Sequence, residues 1–307
     1  MDRIFDMVII GGGPGGYTAA LYAARAGLSV VTLEKLSAGG QMAMTSQIDN
    51  YPGFEEGIDG FDLALRMQQQ AERFGALTEL AEVTRIQPQG DLWAVMTTEG
   101  TFLARTLVLA TGANPRPLGI PEEQSLAGHG LHYCAACDGM FYRDKTVIVV
   151  GGGNSAAAEA LTLSRIARKV ILVHRRDKLR ATQVYHKPLM ETPNVEFRWN
   201  SSVSRVIRDG KVTGVILRDV ATGEESALDC DGIFVSIGRS PATELVKDLL
   251  ALDSSGYVIA DDSTRTSVPG IFAVGDVRTK ALRQIVTAVA DGAMAVHSAE
   301  EYLAERK

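Results

Sequence analysis

Residues 5–16, with the sequence FDMVIIGGGPGG, decide the fold of this chain. An apolar run is followed at once by six residues of which five are glycine, and an alanine-rich stretch comes next. A second apolar run then ends at Glu34. A strand, a glycine turn, a helix and a further strand in this order are typical of a βαβ unit.

The same pattern occurs a second time, beginning with KTVIVVGGGNSA at residues 145–156. Gly11 and Glu34 are 23 positions apart, and so are Gly151 and His174. Two βαβ units of equal spacing predict an α/β protein with two Rossmann-like, three-layer dinucleotide-binding domains.

The first glycine turn has the spacing of a dinucleotide-binding fingerprint, with Gly11, Gly13 and Gly16 between a strand and a helix. Such glycines allow a tight turn and bring backbone N–H groups close to a pyrophosphate at the helix N-terminus. Glu34 lies near the offset of about 20 residues at which a carboxylate accepts hydrogen bonds from ribose hydroxyls. A glycine turn without a ligand is the alternative, but the acid at Glu34 favours a bound dinucleotide.

The second glycine turn keeps the fingerprint at Gly151 and Gly153 but replaces the acid with basic residues. These are His174, Arg175, Arg176 and Arg180. A carboxylate would repel a 2′-phosphate, whereas guanidinium groups bind it in a bidentate manner. We therefore expect NADPH at this turn and FAD at the first. A solvated charge run is the alternative explanation of the basic residues.

Two further apolar runs end at glycine turns. Leu109 is followed closely by Thr111 and Gly112, and a later run is followed by Gly275 and Asp276. Either turn, taken alone, could be purely structural. Asp276 is nevertheless a candidate to bond a ribityl hydroxyl of FAD.

The chain has three cysteines, too few for a disulfide framework, and two of them form the motif Cys134-Ala-Ala-Cys137. A C-x-x-C pair can close a small redox disulfide whose thiolates are stabilised by nearby positive charge or a helix N-terminus. Asp138 follows directly and is a candidate proton donor and acceptor. A zinc site is the alternative, because His129 and His132 precede the cysteines.

Length and composition suggest how the chain is divided. The 307 residues predict about two domains, and the formal net charge of −6 argues against non-specific binding to nucleic acid. No apolar run approaches the ~20 residues that a transmembrane helix needs, so we expect a cytoplasmic protein. Stretches rich in Pro and Gly at residues 114–117 and 238–241 are candidate hinges. We expect residues 1–113 and 242–307 to form the FAD domain, with residues 114–241 inserted as the NADPH domain.

In this combination the motifs resemble those of the low-molecular-weight thioredoxin reductases over essentially the whole chain. Beyond the two glycine turns, the matching stretches are Gly39-Gly40-Gln41, Asn50-Tyr51-Pro52-Gly53, Cys134 to Gly139, Arg180-Ala181, Gly275-Asp276 and Arg283-Gln284. The resemblance implies a homodimeric enzyme that uses NADPH and FAD to reduce the disulfide of thioredoxin or of a thioredoxin-like protein. It also implies that the NADPH domain rotates on its hinges and presents the nicotinamide and the disulfide to the flavin in turn.

The resemblance also assigns roles to individual residues. Those implied to bind FAD are Gly11, Gly13, Pro14, Gly16, Glu34, Gly40, Gln41, Asn50, Thr111, Gly112, Gly275, Asp276, Arg283 and Gln284. Those implied to bind NADPH are Gly151, Gly153, Asn154, Ser155, His174, Arg175, Arg176 and Arg180. Cys137 would be the thiol nearer the flavin, Cys134 the one that attacks the partner disulfide, and Asp138 the acid and base.

Three positions depart from the family pattern. Ala136 replaces a threonine that is common between the cysteines, His129 stands where an arginine is common, and His132 is bulkier than the usual small residue. These departures leave open whether the partner is thioredoxin, another thioredoxin-like protein or a small-molecule disulfide. Two other functions remain as alternatives: a flavoprotein dithiol oxidase that passes electrons from thiols to oxygen, and a zinc-stabilised, nucleotide-sensing binding protein.

Overall fold

The computed structural model of the chain describes residues 4–45, 47–121 and 123–306. Its strands are β1 (Ile4–Ile10), β2 (Val30–Glu34), β3 (Leu77–Leu80), β4 (Val83–Gln89), β5 (Leu92–Thr97), β6 (Gly100–Leu109), β7 (Ala113–Pro115), β8 (Leu131–His132), β9 (Thr146–Val150), β10 (Lys169–Val173), β11 (Val195–Arg198), β12 (Ser201–Asp209), β13 (Lys211–Asp219), β14 (Glu225–Asp229), β15 (Gly232–Val235), β16 (Arg239–Pro241) and β17 (Ile271–Ala273). Its α-helices are α1 (Pro14–Arg25), α2 (Gly60–Arg73), α3 (Glu123–Leu126), α4 (Ala135–Asp138), α5 (Asn154–Ser164), α6 (His186–Glu191) and α7 (Ile285–Ala304). Short 3₁₀ helices cover Gly40–Met44, Gly139–Tyr142, Gln183–Tyr185 and Gly275–Val277.

The chain divides into two compact units. The first consists of Met1–Asn114 and Ser240–Lys307, and the second of Pro115–Arg239. The second unit is therefore inserted into the first, and the chain passes between them within β7 and β16.

The first unit is built on a parallel sheet. In the described part of the chain its strands lie in the order β3, β2, β1, β6, and β17 pairs with β6 near the end of that strand. β5 and β4 continue from β6 as antiparallel strands. β1 is apolar throughout its buried length, and Met7, Val8 and Ile9 have no exposed surface. Such a continuous apolar run is expected of a strand that is covered on both faces.

Helices α1 and α7 of this unit pack closely against each other. Pro14 occupies the first turn of α1, where its missing N–H costs no hydrogen bond. A Cβ on Gly292 of α7 would strike the carbonyl oxygen of Gly15, and a Cβ on Gly15 would meet Ala288 at 3.1 Å. The two helices can therefore approach this closely only because glycine stands at the contact.

The second unit repeats the plan on a smaller scale. In the described residues its parallel sheet has the order β11, β10, β9, β15, β8, and an antiparallel sheet of β12, β13 and β14 accompanies it. β9 and β10 are almost entirely buried, with Ile148 and Leu172 at 0% exposure. Both units thus have the three-layer α/β plan that the repeated pattern predicts.

The direction of the strands brings the sequence motifs together. In the first unit β1, β2, β6 and β17 run parallel, so their carboxyl ends meet at one edge of the sheet. Gly11, Glu34, Thr111 and Gly275 all lie at or just beyond these ends. Ligands of open α/β sheets bind in the crevice outside the carboxyl ends of the strands. This edge is therefore the candidate ligand site of the first unit.

Candidate functional site

The redox motif of the second unit forms a disulfide. Cys134 and Cys137 are bonded to each other, with their Cα atoms 5.3 Å apart. Cys134 caps the short helix α4, and the backbone N–H groups of Cys137 and Asp138 donate to the carbonyl oxygen of Cys134. β8 ends at His132, two residues before the disulfide, so the disulfide follows the carboxyl end of a parallel strand. The predicted C-x-x-C pair is thus a closed disulfide at the ligand edge of its sheet.

Asp138 has a histidine beside it. Asp138 Oδ2 lies 3.2 Å from Nδ1 of His132, whose side chain is 5% exposed, while that of Asp138 is 17% exposed. Nε2 of the same imidazole lies 2.7 Å from the hydroxyl oxygen of Tyr142. Burial, and secondarily the charge of Asp138, raise the pKa of Tyr142 to about 12. The carboxyl group next to the disulfide is therefore the end of a buried polar chain.

A second carboxyl group, Glu159 of α5, lies close to the redox helix. Its carboxylate accepts hydrogen bonds from the hydroxyl of Ser236 and from the backbone N–H of Ala135 in α4. Burial raises the pKa of Glu159 to about 7, although these hydrogen bonds and the charge of Arg239 act in the opposite direction. The charge of Asp138 adds to the increase. Glu159 therefore joins the first turn of the disulfide helix to the glycine-turn helix.

The zinc alternative does not fit this geometry. Cys134 and Cys137 are bonded to each other, and metal ligation requires free thiolates. Among the described residues no group of three or more His, Cys, Asp and Glu side chains could hold a metal ion. Cys230 is unpaired and buried, and burial raises the pKa of its thiol to about 12.

The glycine turn of the second unit has an open face. Gly151 has a φ of +151°, and a Cβ there would strike the carbonyl oxygen of Ser236. At Gly153 no heavy atom of the described residues lies within 4 Å of a Cβ position. Asn154 Oδ1 accepts from the backbone N–H of Thr182 at 2.8 Å and fixes the start of α5. The turn can therefore admit a phosphate beside Gly153, as its spacing predicts.

The basic residues beside this turn fall into two classes. Arg175, Arg176 and Arg180 are exposed, and the backbone N–H of Arg180 donates to Gly152 O at 2.7 Å. His174 is buried, and its ring fills the space that a Cβ on Gly152 would need. Burial, together with the three arginine charges, lowers the pKa of His174. The three arginine side chains are thus accessible from solvent, whereas the imidazole packs against Gly152 of the turn.

In the glycine turn of the first unit, two of the three fingerprint glycines have no room for a side chain and one is open. A Cβ on Gly11, whose φ is +106°, would lie 2.5 Å from Ala110 O. A Cβ on Gly16 would strike the carbonyl oxygen of Gly11, so only glycine lets the helix pack on the turn. At Gly13 no described heavy atom lies within 4 Å of the Cβ position. The open position is the one at which a pyrophosphate approaches the backbone.

Glu34 ends β2 and is tied to the backbone around it. Its Oε2 accepts from Gly12 N at 2.6 Å, and its Oε1 accepts from Lys35 N at 2.8 Å and from Leu36 N at 3.2 Å. The side chain is half-buried. An anchored carboxylate at this edge, beside an open glycine turn, fits the ribose and pyrophosphate of a dinucleotide.

The next group of predicted residues lies around the 3₁₀ helix that starts at Gly40. Gln41 Nε2 donates to Ala113 O at 3.0 Å and to Asn114 Oδ1 at 3.1 Å. Asn50 Nδ2 donates to Gln284 Oε1 at 3.0 Å, although the two residues are 234 positions apart in the chain. Gln284 also caps α7 through a reciprocal pair of bonds with the third residue of the helix. The fold thus joins two residues that the resemblance separately assigns to FAD, by a contact that the sequence does not predict.

The remaining turns of the first unit are held rigidly. Thr111 Oγ1 donates to Ala242 O at 2.7 Å, and Gly112 has a φ of +70° with open space at its Cβ position among the described residues. The backbone N–H of Gly275 donates to Asp291 Oδ2 at 2.8 Å. Asp276 is the next residue and is half-buried.

Asp291 is the centre of a buried ion cluster that supports the turn at Gly275. It pairs with Arg278 Nη1 at 3.0 Å and with Lys280 Nζ at 2.7 Å, and all three side chains are at most 12% exposed. Arg283 lies next to this cluster, with its guanidinium 4.1 Å from the ring centre of Tyr257 and Nη2 donating to Arg278 O at 3.2 Å. The structure therefore places Arg283 in packing contacts beside the turn.

Two residues near the disulfide, Glu159 and Tyr142, carry no role in the sequence interpretation, and a third, His132, has a contact there that the sequence does not show. Glu159 was detectable, because it is the only charged residue of the alanine-rich stretch 154–164. Tyr142 carries no motif of its own. His132 is visible as a departure from the family pattern, but its contact with Asp138 requires the three-dimensional structure.

Comparison with known proteins places the chain in context. Residues 5–292 match the family model described as pyridine nucleotide-disulphide oxidoreductase. The thioredoxin reductase of Treponema pallidum is 43% identical over 303 residues, which are 99% of this chain and 98% of the relative. The thioredoxin reductase of Mycolicibacterium smegmatis is 45% identical over 306 residues, with 99% of this chain and 98% of the relative covered.

Solved structures agree with the sequence relatives. The crystal structure of thioredoxin reductase from Streptococcus pyogenes superposes with a TM-score of 0.93 and is 44% identical, covering 99% of this chain and 100% of that one. The expected α/β fold, with one dinucleotide-binding domain inserted into another, is confirmed. No helix in the described part of the chain is long and apolar enough to span a membrane.

Proposed function

The chain belongs to the pyridine nucleotide-disulphide oxidoreductase family as a low-molecular-weight thioredoxin reductase, and we propose how its residues carry out that reaction. The enzyme is a thioredoxin-disulfide reductase whose cofactors are FAD and NADPH. The observation that carries the proposal is the position of the Cys134–Cys137 disulfide. It lies at the carboxyl edge of the same sheet that bears the arginine-flanked glycine turn.

The two units divide the cofactors between them. The first unit, with the open turn at Gly13 and the anchored carboxylate of Glu34, fits FAD. The second unit, with the open turn at Gly153 and three exposed arginines, fits NADPH, because guanidinium groups bind a 2′-phosphate. Bound FAD supplies a two-electron carrier between a nicotinamide and a disulfide. The remaining residues assigned by family resemblance to each cofactor are proposed to serve it, and His174 does so by supporting the turn.

The protein side chains carry out the exchange with the substrate. In the reduced enzyme both cysteines are thiols. The Cys134 thiol loses its proton to solvent and its thiolate attacks one sulfur of the substrate disulfide. That disulfide breaks, a mixed disulfide forms, and the released substrate sulfur takes up a proton from solvent. Asp138 then takes the proton of Cys137. The Cys137 thiolate then attacks the sulfur of Cys134. The Cys134–Cys137 bond re-forms, and the substrate leaves with two thiols, one of which takes its proton from Asp138.

We propose the disulfide partner, the assembly and the compartment by analogy with the family. We take thioredoxin as the disulfide substrate, a homodimer as the assembly and the cytoplasm as the compartment. Support comes from relatives named thioredoxin reductase that align with almost the whole chain. Sedimentation of the purified holoenzyme tests the assembly, and a monomer at working concentration would contradict the homodimer.

The test of function is NADPH oxidation by the holoenzyme with disulfide thioredoxin. Cys137→Ser should still allow NADPH to reduce the flavin but should abolish thioredoxin reduction, because no resolving thiol remains. Cys230→Ala is the matched control, since that thiol is buried, unpaired and in the same unit. Thioredoxin reduction retained by Cys137→Ser would refute the dithiol route.

The same assay separates the alternatives. A wild-type enzyme whose flavin is reduced by NADPH while thioredoxin stays oxidised would have a different disulfide partner. Oxygen consumption driven by dithiols in the absence of NADPH would indicate a dithiol oxidase. The exposed arginines beside the second glycine turn favour the NADPH-dependent reaction.

A further inference from the structure

We propose that His132 is a positioning residue that holds the carboxylate of Asp138 for proton transfer, through a hydrogen-bonded chain from Tyr142 to His132 to Asp138. The inference deepens the function described above and rests on the acid-base role given there to Asp138. It concerns the exchange of protons with the dithiol and leaves the binding of both cofactors unaffected.

The chain has two links. The hydroxyl oxygen of Tyr142 lies 2.7 Å from Nε2 of His132, and Nδ1 on the opposite side of the ring lies 3.2 Å from Asp138 Oδ2. Nδ1 is fully shielded from solvent and makes no well-aligned hydrogen bond to any described residue. A buried imidazole nitrogen in this position gains free energy from a small approach of the carboxylate, because an unsatisfied buried donor is costly.

Packing fixes the orientation of the imidazole. His132 lies opposite Phe234 in the register between β8 and β15, and the two rings stack with centroids 5.3 Å apart. Tyr142 meets the imidazole edge-on at 5.2 Å and Phe234 edge-on at 5.4 Å. A ring clamped on two sides in this way cannot rotate without moving its neighbours, so its nitrogens stay aimed at Tyr142 and Asp138.

The direction of the hydrogen bonds follows from the tyrosine. The pKa of Tyr142 is raised to about 12, mainly by burial, so its hydroxyl keeps its proton at neutral pH. A neutral imidazole accepts the hydrogen bond from the tyrosine hydroxyl at Nε2. Its own hydrogen is therefore on Nδ1. An imidazolium carries a hydrogen on both nitrogens. In either state Nδ1 is a donor that faces the carboxylate of Asp138.

Several charged or titratable groups act on this chain from neighbouring elements. Besides Asp138, the groups of Cys230 and Asp231 raise the pKa of Tyr142, and the ammonium of Lys145 lies 5.3 Å from the centre of its ring. Glu159 of α5 interacts electrostatically with Asp138. A pH profile of the dithiol step therefore reports the coupled set, and comparison of variants at His132 isolates the contribution of the imidazole.

The consequence for the reaction is orientational. A donor at Nδ1 holds Oδ2 of Asp138 and leaves Oδ1 to exchange a proton with sulfur. The N–H of Nδ1, 3.2 Å from Oδ2, attracts the carboxylate and keeps it in the rotamer that faces the imidazole. Without this contact the carboxylate samples several rotamers, and fewer of them are productive.

Two substitutions at one position separate the two ends of the imidazole. The side-chain amide of Asn reaches about where Nδ1 stands, so His132→Asn can still donate to Asp138. The longer Gln reaches about where Nε2 stands, so His132→Gln keeps a partner for Tyr142 and loses the donor to Asp138. His297→Gln is the matched control. This histidine is 68% exposed on α7, and its Nε2 lies 3.6 Å from Oε1 of Glu301, one helix turn away.

The measurements are thioredoxin turnover and the pH dependence of alkylation of the reduced cysteines in the holoenzyme. We expect His132→Gln to lose about 10- to 100-fold in turnover, below the full contribution of a general acid-base group. Its alkylation profile should shift toward that of Asp138→Asn. His132→Asn should restore both measurements to within about threefold. Equal defects in the Asn and Gln variants, or an unshifted profile in His132→Gln, would overturn the proposal.

Failures at different levels are distinguishable. If Asp138→Asn turns over thioredoxin normally, the acid-base role of Asp138 is wrong and this inference falls with it. If Asp138→Asn is impaired but His132→Gln is normal, only the positioning role is wrong. Should both His132 variants fail to fold, Tyr142→Phe provides the test. It keeps the aromatic ring that packs on His132 but removes the hydroxyl that bonds to Nε2, so the hydrogen of the neutral imidazole is no longer held on Nδ1. A profile identical to wild type in Tyr142→Phe would then refute the chain.

Discussion

Replacement of the half-buried carboxyl group of Glu159 should change the pH dependence of stability in a direction that the structure determines. Burial raises its pKa from 4.5 to about 7 in the folded protein. The folded protein therefore keeps a proton on Glu159 between these two pH values, while the unfolded chain has already released it. Stability falls with rising pH wherever the folded state binds more protons. This contribution is thus fully present below about pH 4.5 and lost as pH rises through about 7.

The size of the effect follows from the same two values. One pKa unit corresponds to about 1.36 kcal/mol. The difference between 4.5 and about 7 therefore lowers the free energy of unfolding by about 3 kcal/mol above pH 7. Glu159→Gln cannot ionise and keeps an amide that can bond to Ser236 and to the backbone of Ala135. The variant should therefore gain up to about 3 kcal/mol over the wild type as pH rises, which is several degrees in Tm for a chain of this length.

The assay is thermal unfolding of wild type and Glu159→Gln holoenzymes at pH 5 and at pH 8. The difference in Tm should be more favourable to the variant at pH 8. Glu191→Gln is the matched control, because it removes an exposed carboxylate from another helix of the same unit. A wild-type-to-variant difference that is the same at both pH values would refute the reasoning.

Four further outcomes are expected. Replacing Arg175 and Arg176 with Ala should lower the preference for NADPH over NADH by roughly 100-fold in kcat/KM, since each charged hydrogen bond contributes about 1.5–3 kcal/mol; an unchanged preference would exclude both residues from phosphate binding. Gly16→Ala should lower the free energy of unfolding by about 1–3 kcal/mol, and with it Tm, because the added Cβ would strike the carbonyl oxygen of Gly11. Gly13→Ala should keep the fold and lose FAD affinity, which FAD content after dialysis measures; equal melting of the two glycine variants would contradict this difference. Asp291→Asn should destabilise the protein by about 3 kcal/mol, because two buried cations lose their counter-charge, and denaturant unfolding at constant FAD concentration would show it.

Much of the fold could be predicted because the patterns that specify it are local. The apolar run of β1, the glycines after it and the acid at Glu34 follow one another within 30 residues, and each has a short-range physical reason. The redox pair is equally local, since Cys134 and Cys137 lie within one helical turn. Full-length relatives then confirmed the function that these motifs indicate together.

Features that depend on long-range pairing could not be predicted. The contact between Asn50 and Gln284 joins residues from opposite ends of the chain. The cluster around Asp291 requires α7 to return beside the turn at Gly275, and no local pattern specifies which charges will meet there.

The amino-acid sequence is sufficient to predict two α/β units, two glycine turns with neighbours of different charge, and a cysteine pair with an acid beside it. Periodicity and spacing are enough for these, because each rests on neighbours in the chain. Two other features are visible only in the folded chain. His174 lies beneath its turn while the arginines stay exposed, and His132 stands between Tyr142 and Asp138. These facts depend on which strands pair and in which register, because β8 meets β15 at residues about 100 positions apart in the chain.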